Sequence, residues 1–156
     1  MRFSLSISKI IRTLLIIGLV GFISACARTP TNNIDGGTPG SQQEFLVTVG
    51  DRIFFDTGSS IVASVGQETL NKQAVWLNQY SNYNIIIEGH ADERGTREYN
   101  IALSARRAAA AVNYLISRGV SANRINSKAY GKERPVAVCN DISCWSQNRR
   151  AVTVIN

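Results

Sequence analysis

Asn84-Ile85-Ile86-Ile87-Glu88-Gly89-His90-Ala91-Asp92-Glu93-Arg94-Gly95-Thr96 decides how this chain folds. Isoleucine at 85, 86 and 87 is what a central strand carries when both of its faces are covered. Asp92 follows directly, at the carboxyl end of that strand, where α/β sheets tend to place ligands. Thr96 then suits a helix N-cap, and Glu98 in the first turn complements the helix dipole. Arg118-Gly119 supplies a basic end and a glycine stop. Between them Ile101, Ala105, Ala108, Val112 and Leu115 form an apolar stripe that must pack on the sheet.

Outward from this unit the pattern continues. Val49 to Phe55 reads as a first strand, followed by the turn-prone Asp56-Thr57-Gly58-Ser59-Ser60. Leu70, Ala74 and Leu77 recur at helical spacing within a helix predicted over Val62 to Tyr80, which Ser81 and Asn82 close. Ile125 to Tyr130 and Ala151 to Ile155 give two more strands, with a helical turn around Trp145 between them. The order β-α-β-α-β-β predicts an α/β (α+β) fold, a two-layer sandwich of a mixed sheet with helices packed against it.

The N-terminal third is different. Arg2, Lys9 and Arg12 make a positive opening, and Leu14 to Ile23 is apolar except for two glycines. The uncharged run from Thr13 to Ala25 is too short to cross ~30 Å of hydrocarbon comfortably as a helix, and fits the apolar region of an export signal. Ile23-Ser24-Ala25-Cys26 resembles the bacterial lipobox, in which the cysteine is lipidated and becomes the new N-terminus. The plainer alternative is an ordinary export signal with an incidental cysteine. Ala27 to Gln43 is rich in Thr, Asn, Gly, Pro and Ser and cannot bury enough surface to offset its ordering entropy, so it reads as a tether. The expected organisation is a signal peptide over 1–25, a lipidated Cys26 and linker over 26–43, and a folded domain over 44–156.

The formal charge of +6 first suggests a polyanion partner, but three of those charges precede Cys26. The remainder is mild and holds no dense Lys/Arg run, which argues against nucleic-acid binding. Of the three cysteines, Cys139 and Cys144 are close enough to close a small disulfide loop outside the cytosol; free thiols remain the alternative. With His90 they are too few soft ligands for a closed zinc site, so no metal or other cofactor is expected. His90 reads as a structural residue at the strand end.

On the second helix Asn100, Leu103, Ser104 and Arg107 lie at offsets 0, 3, 4 and 7 and share a face. Rotated from the apolar stripe, that face is expected to point to a rim rather than into the core. An acidic loop residue and a basic helix residue beside one cleft can hold a zwitterion: Asp92 takes an ammonium, and Arg107 holds a carboxylate in its planar fork. Asn100 can fix orientation, and Leu103 supplies an apolar floor. Taken alone, Asp92 reads more readily as a turn or cap residue than as a ligand contact, and Arg107 as a solvated helix residue.

Gly89-His90-Ala91-Asp92-Glu93-Arg94-Gly95-Thr96, Tyr99-Asn100, Leu103-Ser104, Arg106-Arg107-Ala108, Tyr130-Gly131-Lys132 and Asn148-Arg149-Arg150-Ala151-Val152 together resemble the OmpA-type peptidoglycan-binding domain family. Arg52-Ile53-Phe54-Phe55-Asp56 resembles that family's first-strand signature. The resemblance spans about 44–156, and with a lipobox and linker in front it is nearest to the family's peptidoglycan-associated lipoproteins. It implies non-covalent binding of the diaminopimelate of a peptidoglycan stem by Asp92, Arg107 and Asn100, with Leu103 beneath and the turn Phe55, Asp56 and Thr57 alongside. It also implies a lipid-anchored protein of the outer membrane, facing the periplasm, with Tol-system partners in cell division. Arg149 and Arg150 stay open between an edge-strand cap and a ligand rim. Two features depart from the pattern: the loop carrying Cys139 and Cys144, and Leu103-Ser104, at a position expected to matter little.

A peptidoglycan amidase or glycosidase is the rival class. It needs a metal cluster, an activated nucleophile or paired carboxylates, and Glu88, Asp92, Glu93 and a single histidine offer only fragments. No catalytic residue is therefore expected. A stator-type membrane protein with the same domain needs a spanning helix bearing a carboxylate, which Leu14 to Ile23 does not carry. The binding reading expects Asp92→Ala or Arg107→Ala each to abolish peptidoglycan binding while leaving the fold intact.

Overall fold

The computed structural model describes residues 37–156. The expected signal peptide, Cys26 and the linker up to residue 36 lie outside the described residues. The elements follow the expected order: β1 (Arg52–Phe54), α1 (Ser64–Gln79), β2 (Ile85–Gly89), α2 (Arg97–Ser117), β3 (Ile125–Ala129), α3 (Ile142–Asn148) and β4 (Arg150–Ile155). They build one mixed sheet in the order β1-β4-β2-β3. β2 runs parallel to β3, with α2 as the crossover, and antiparallel to β4; β1 pairs antiparallel with β4 at the edge.

The helices cover one face of this sheet. Ile53, Ile85, Ile87, Ala151 and Ile155 turn toward α1 and α2 and pack with Leu70, Ala74, Leu77, Ala108 and Leu115. Burial along β2 alternates, with Ile86 and Glu88 only half-buried. The expectation of a strand covered on both faces is therefore corrected. Ile85, Ile86 and Ile87 make a central strand, but Ile86 belongs to an open face, as the two-residue period of a pleated strand requires.

The start also differs. Ser41 caps a short helical turn, Gln42–Glu44, which runs into a π-helical segment, Phe45–Val49. The first strand is accordingly short and begins at Arg52 rather than Val49. Phe45 is fully buried against Trp76, which in turn stacks on Tyr83. The Nε1–H of Trp76 donates to the Glu44 carboxylate at 2.8 Å and the Tyr83 hydroxyl to the Gly40 carbonyl at 2.7 Å, so the aromatic cluster also holds the end of the stretch expected to be linker.

Two contacts fix the helices where the functional residues need them. Arg124 donates to the carbonyls of Leu77, Tyr80 and Tyr83, satisfying the last turn of α1 and the loop after it. Gly89 lets α2 approach β2 so closely that a Cβ there would overlap the Ser104 carbonyl. Ser104 itself is fully buried, and its hydroxyl accepts the Gly131 N–H at 2.9 Å. It locks α2 to the turn after β3, contrary to the expectation that its position matters little.

Candidate functional site

Asp92 leaves the carboxyl end of β2 as expected, beside a cleft of about 260 Å³ lined by Thr57, Gly58, Asp92, Arg94, Gly95, Tyr99, Asn100 and Leu103. Thr96 accepts the Tyr99 N–H at 3.2 Å as the N-cap of α2. Gly95, at φ +87°, makes the turn that brings the loop back over the helix start. The Asn100 amide donates to the Arg94 carbonyl at 2.8 Å, and the Lys132 ammonium donates to the carbonyls of Glu93 and Gly95. The backbone of the loop is thus pinned from both sides.

The shared face of Asn100, Leu103, Ser104 and Arg107 is the buried face of α2, not its rim. Of the expected apolar stripe, Ala108 and Leu115 are buried and Val112 is half-buried, whereas Ile101 and Ala105 are exposed. The reason is Arg107. Its guanidinium donates to the carbonyls of Asp56 at 3.1 Å, Ser59 at 2.8 Å and His90 at 2.9 Å, and lies 5.2 Å over the Phe55 ring. A side chain that caps three backbone acceptors can be buried with its charge, and it draws its helical neighbours inward. Burial depresses the Arg107 pKa to about 10, against the opposing pull of Asp92, so it remains a cation at neutral pH.

Phe55, Asp56 and Thr57 therefore meet the site in three different ways. Phe55 lies under the Arg107 guanidinium, Asp56 contributes its backbone carbonyl, and Thr57 offers its hydroxyl at the cleft mouth. Five hydrogens sit on an arginine fork. Three serve these carbonyls, which leaves one on each terminal nitrogen.

Asp92 is 7% exposed. Arg94 grips it with Nε at 3.1 Å to Oδ1 and Nη2 at 2.7 Å to Oδ2, and adds its backbone N–H at 3.1 Å. Arg149 contributes Nη1 at 3.4 Å, while its Nε donates to the Phe55 carbonyl. Burial pushes the Asp92 pKa up, but the Arg94 and Arg149 hydrogen bonds outweigh it, and the carboxyl is held below its usual value. Asp92 and Arg107 thus belong to the same end of the sheet, but Arg107 stands behind the cleft wall and Arg94 occupies the carboxylate.

Arg149 and Arg150 separate cleanly. Arg149 joins the site, whereas Arg150 bonds the carbonyls of Asn148 and Arg134. His90 is buried with neither ring nitrogen hydrogen-bonded, stacked on Tyr130, and its pKa is lowered to about 4 by burial and the nearby Arg150, Arg134 and Arg52. Cys139 and Cys144 are joined, with Cα atoms 5.7 Å apart, and that loop leads into α3. From α3, Trp145 sits under Arg94, the guanidinium 4.1 Å from the ring centroid, and its Nε1–H donates to Glu93 at 3.1 Å.

Sequence reasoning did not single out Arg94, Tyr99 or Trp145. Arg94 lies inside the motif, but nothing in its spacing says that it folds back onto Asp92. A larger hollow of about 510 Å³ flanks β1 and shares Phe55, Asp56 and Arg149 with the site, but polar and apolar side chains line it alike and it holds no Asp92. Among the described residues no cluster of His, Cys, Asp and Glu is arranged to hold a metal.

The OmpA family model matches residues 54–149. A peptidoglycan-associated lipoprotein of Mesorhizobium japonicum is 57% identical over 96% of this chain and 96% of its own length. Among solved structures, the peptidoglycan-associated lipoprotein from Burkholderia pseudomallei covers 71% of this chain and 96% of its own at 36% identity, with a TM-score of 0.68. The C-terminal domain of Helicobacter pylori MotB covers 68% of this chain and 84% of its own at a TM-score of 0.64, but at 20% identity that likeness shows the fold alone. The chain belongs to the OmpA family and, within it, to the peptidoglycan-associated lipoproteins.

Proposed function

We propose that this protein binds peptidoglycan non-covalently through the diaminopimelate of the stem peptide and tethers the outer membrane to the wall. The observation that carries the reading is a cleft with a near-buried carboxylate, Asp92, in its wall and a buried guanidinium, Arg107, behind it. A zwitterionic side chain meets both needs: its ammonium goes to Asp92, and its carboxylate is drawn toward the Arg107 charge that stands behind the cleft wall. Asn100, Leu103, Phe55, Asp56 and Thr57 shape the space around it. The reading is of a binding protein and not an enzyme.

Acyl chains on Cys26 hold the membrane end, since more than one chain gives stable anchoring. Ala27 in place of an acidic residue favours the outer membrane, with the domain in the periplasm. Partnership with the Tol system in cell division is part of the same reading, and membership of the family supports it. Weak single contacts suffice, because many copies along one polymer add avidity.

The soluble domain is expected to sediment with purified peptidoglycan and to be released by free meso-diaminopimelate. Asp92→Asn removes the charge at nearly constant shape and should weaken retention at least about 30-fold, the usual scale for breaking a buried charge pair. Undiminished retention by a folded Asp92→Asn variant rejects the reading.

A further inference from the structure

We propose that Arg94 is an exchangeable counter-ion that makes the cleft selective for a zwitterion over a simple amine. The inference rests on the reading of Asp92 as the ammonium receptor. In the free protein the strongest partner of Asp92 is the Arg94 guanidinium, bound to both carboxylate oxygens. The same guanidinium reaches across the cleft mouth to the Thr57 hydroxyl at 3.3 Å and rests on Trp145. An incoming ammonium and Arg94 compete for one carboxylate.

The loop is built for that exchange. Its backbone is fixed by Asn100 and Lys132, while the Arg94 side chain remains 39% exposed beside an Asp92 side chain that is only 9% exposed. The side chain can therefore swing without moving the strand end. Arg149 keeps its own bond to Asp92, so the carboxylate is not left bare during the exchange.

Charge then sets the specificity. Arg94, Arg149 and Arg107 all act on Asp92, and Glu93, the neighbouring carboxylate, is engaged by Trp145. A bare amine that displaces Arg94 adds a cation to a cleft already in cationic surplus. A ligand that brings its own carboxylate gives the released guanidinium a bidentate partner at the cleft mouth. Arg94 is thus lock and second receptor, and Trp145 is the platform it leaves.

The test titrates meso-diaminopimelate and 1,5-diaminopentane into the folded soluble domain, by calorimetry and by tryptophan fluorescence. The wild type should prefer the zwitterion and change its emission on binding it. Trp145→Phe should still bind but lose the emission change, since Trp76 is buried in the aromatic cluster. Arg94→Ala should lower the preference for the zwitterion at least tenfold, and Arg94→Lys should restore part of it. Binding with a silent Trp145, or an Arg94→Ala variant with undiminished preference, overturns the counter-ion role while leaving Asp92 as receptor. A wild type that binds no diaminopimelate sinks both.

Discussion

Arg107 donates its Nη1–H to the carbonyl of His90 at 2.9 Å, which ties the buried guanidinium of α2 to the backbone two residues before Asp92. The helix that carries the cation and the strand end that carries the anion are one hydrogen-bonded unit. Whatever ligand enters between Asp92 and α2 meets a charge arrangement fixed during folding.

That bond makes Arg107→Ala a folding mutation and not a simple loss of contact. Truncation removes the donor from the carbonyls of Asp56, Ser59 and His90, the last of them buried, and leaves a cavity in place of a fully buried side chain. The expected loss is about 3 kcal/mol or more, at 1–3 kcal/mol for each unsatisfied buried group. Arg107→Lys keeps the charge without the fork and should lose less. Urea unfolding of the three proteins checks the order, and an Arg107→Ala variant as stable as the wild type contradicts it.

Gly89 is the position where the strand tolerates no side chain. The Cβ of Gly89→Ala would strike the backbone carbonyl of Ser104, which cannot rotate away as a flexible side chain would. α2 must lift from β2, and overpacking of this kind costs about 3 kcal/mol. Because Asp92 follows three residues later, diaminopimelate affinity should fall with stability. A shifted unfolding midpoint in urea with unchanged slope is the expected signature.

The order of elements was legible because periodicity reports it. Leu70, Ala74 and Leu77 mark α1, Thr96 caps α2, and the strands separate at turn residues. What periodicity could not report was a buried polar face. Asn100, Ser104 and Arg107 look like a rim, yet they are the buried side of α2 because backbone carbonyls from three segments and the Gly131 amide await them there. The same limit left the start of the domain without an assigned element: Phe45, the second residue of the expected 44–156 domain, is buried by Trp76, a partner 31 positions away. Asp92, Asn100, Leu103 and Arg107 came from charge and helical spacing together with the motif, and Phe55, Asp56 and Thr57 from the motif resemblance alone. The Arg94 grip on Asp92 came from neither, since a side chain folding back two positions leaves no mark in the spacing.

The Cys139–Cys144 bond closes a small loop that runs into the first turn of α3, the helix that presents Trp145 to Arg94. Cross-linking so short a loop stabilises by about 2 kcal/mol in the chain-entropy model. The double variant Cys139→Ser/Cys144→Ser should lose up to that amount. It should also blunt the Trp145 fluorescence response to diaminopimelate, because the platform loosens. A response of full amplitude in the double variant would show that α3 holds Trp145 without the bond.

His90 gives the protein a pH dependence whose sign follows from burial. Its folded pKa is lowered to about 4 from 6.5, because burial and the neighbouring Arg150, Arg134 and Arg52 oppose the imidazolium. Between those values the unfolded chain binds the proton and the folded one does not. The contribution of His90 is therefore full above pH 6.5 and lost as pH falls toward 4. Between pH 7 and pH 5 the loss should reach about 2 kcal/mol. Asp92 has the depressed carboxylate pattern, so its contribution is lost only as the pH falls below the ordinary carboxylate range, which keeps the two windows apart. His90→Phe keeps the ring on Tyr130 and removes the proton site, and should flatten the slope of unfolding free energy between pH 7 and 5. An equal slope in both proteins would place the pH sensitivity elsewhere.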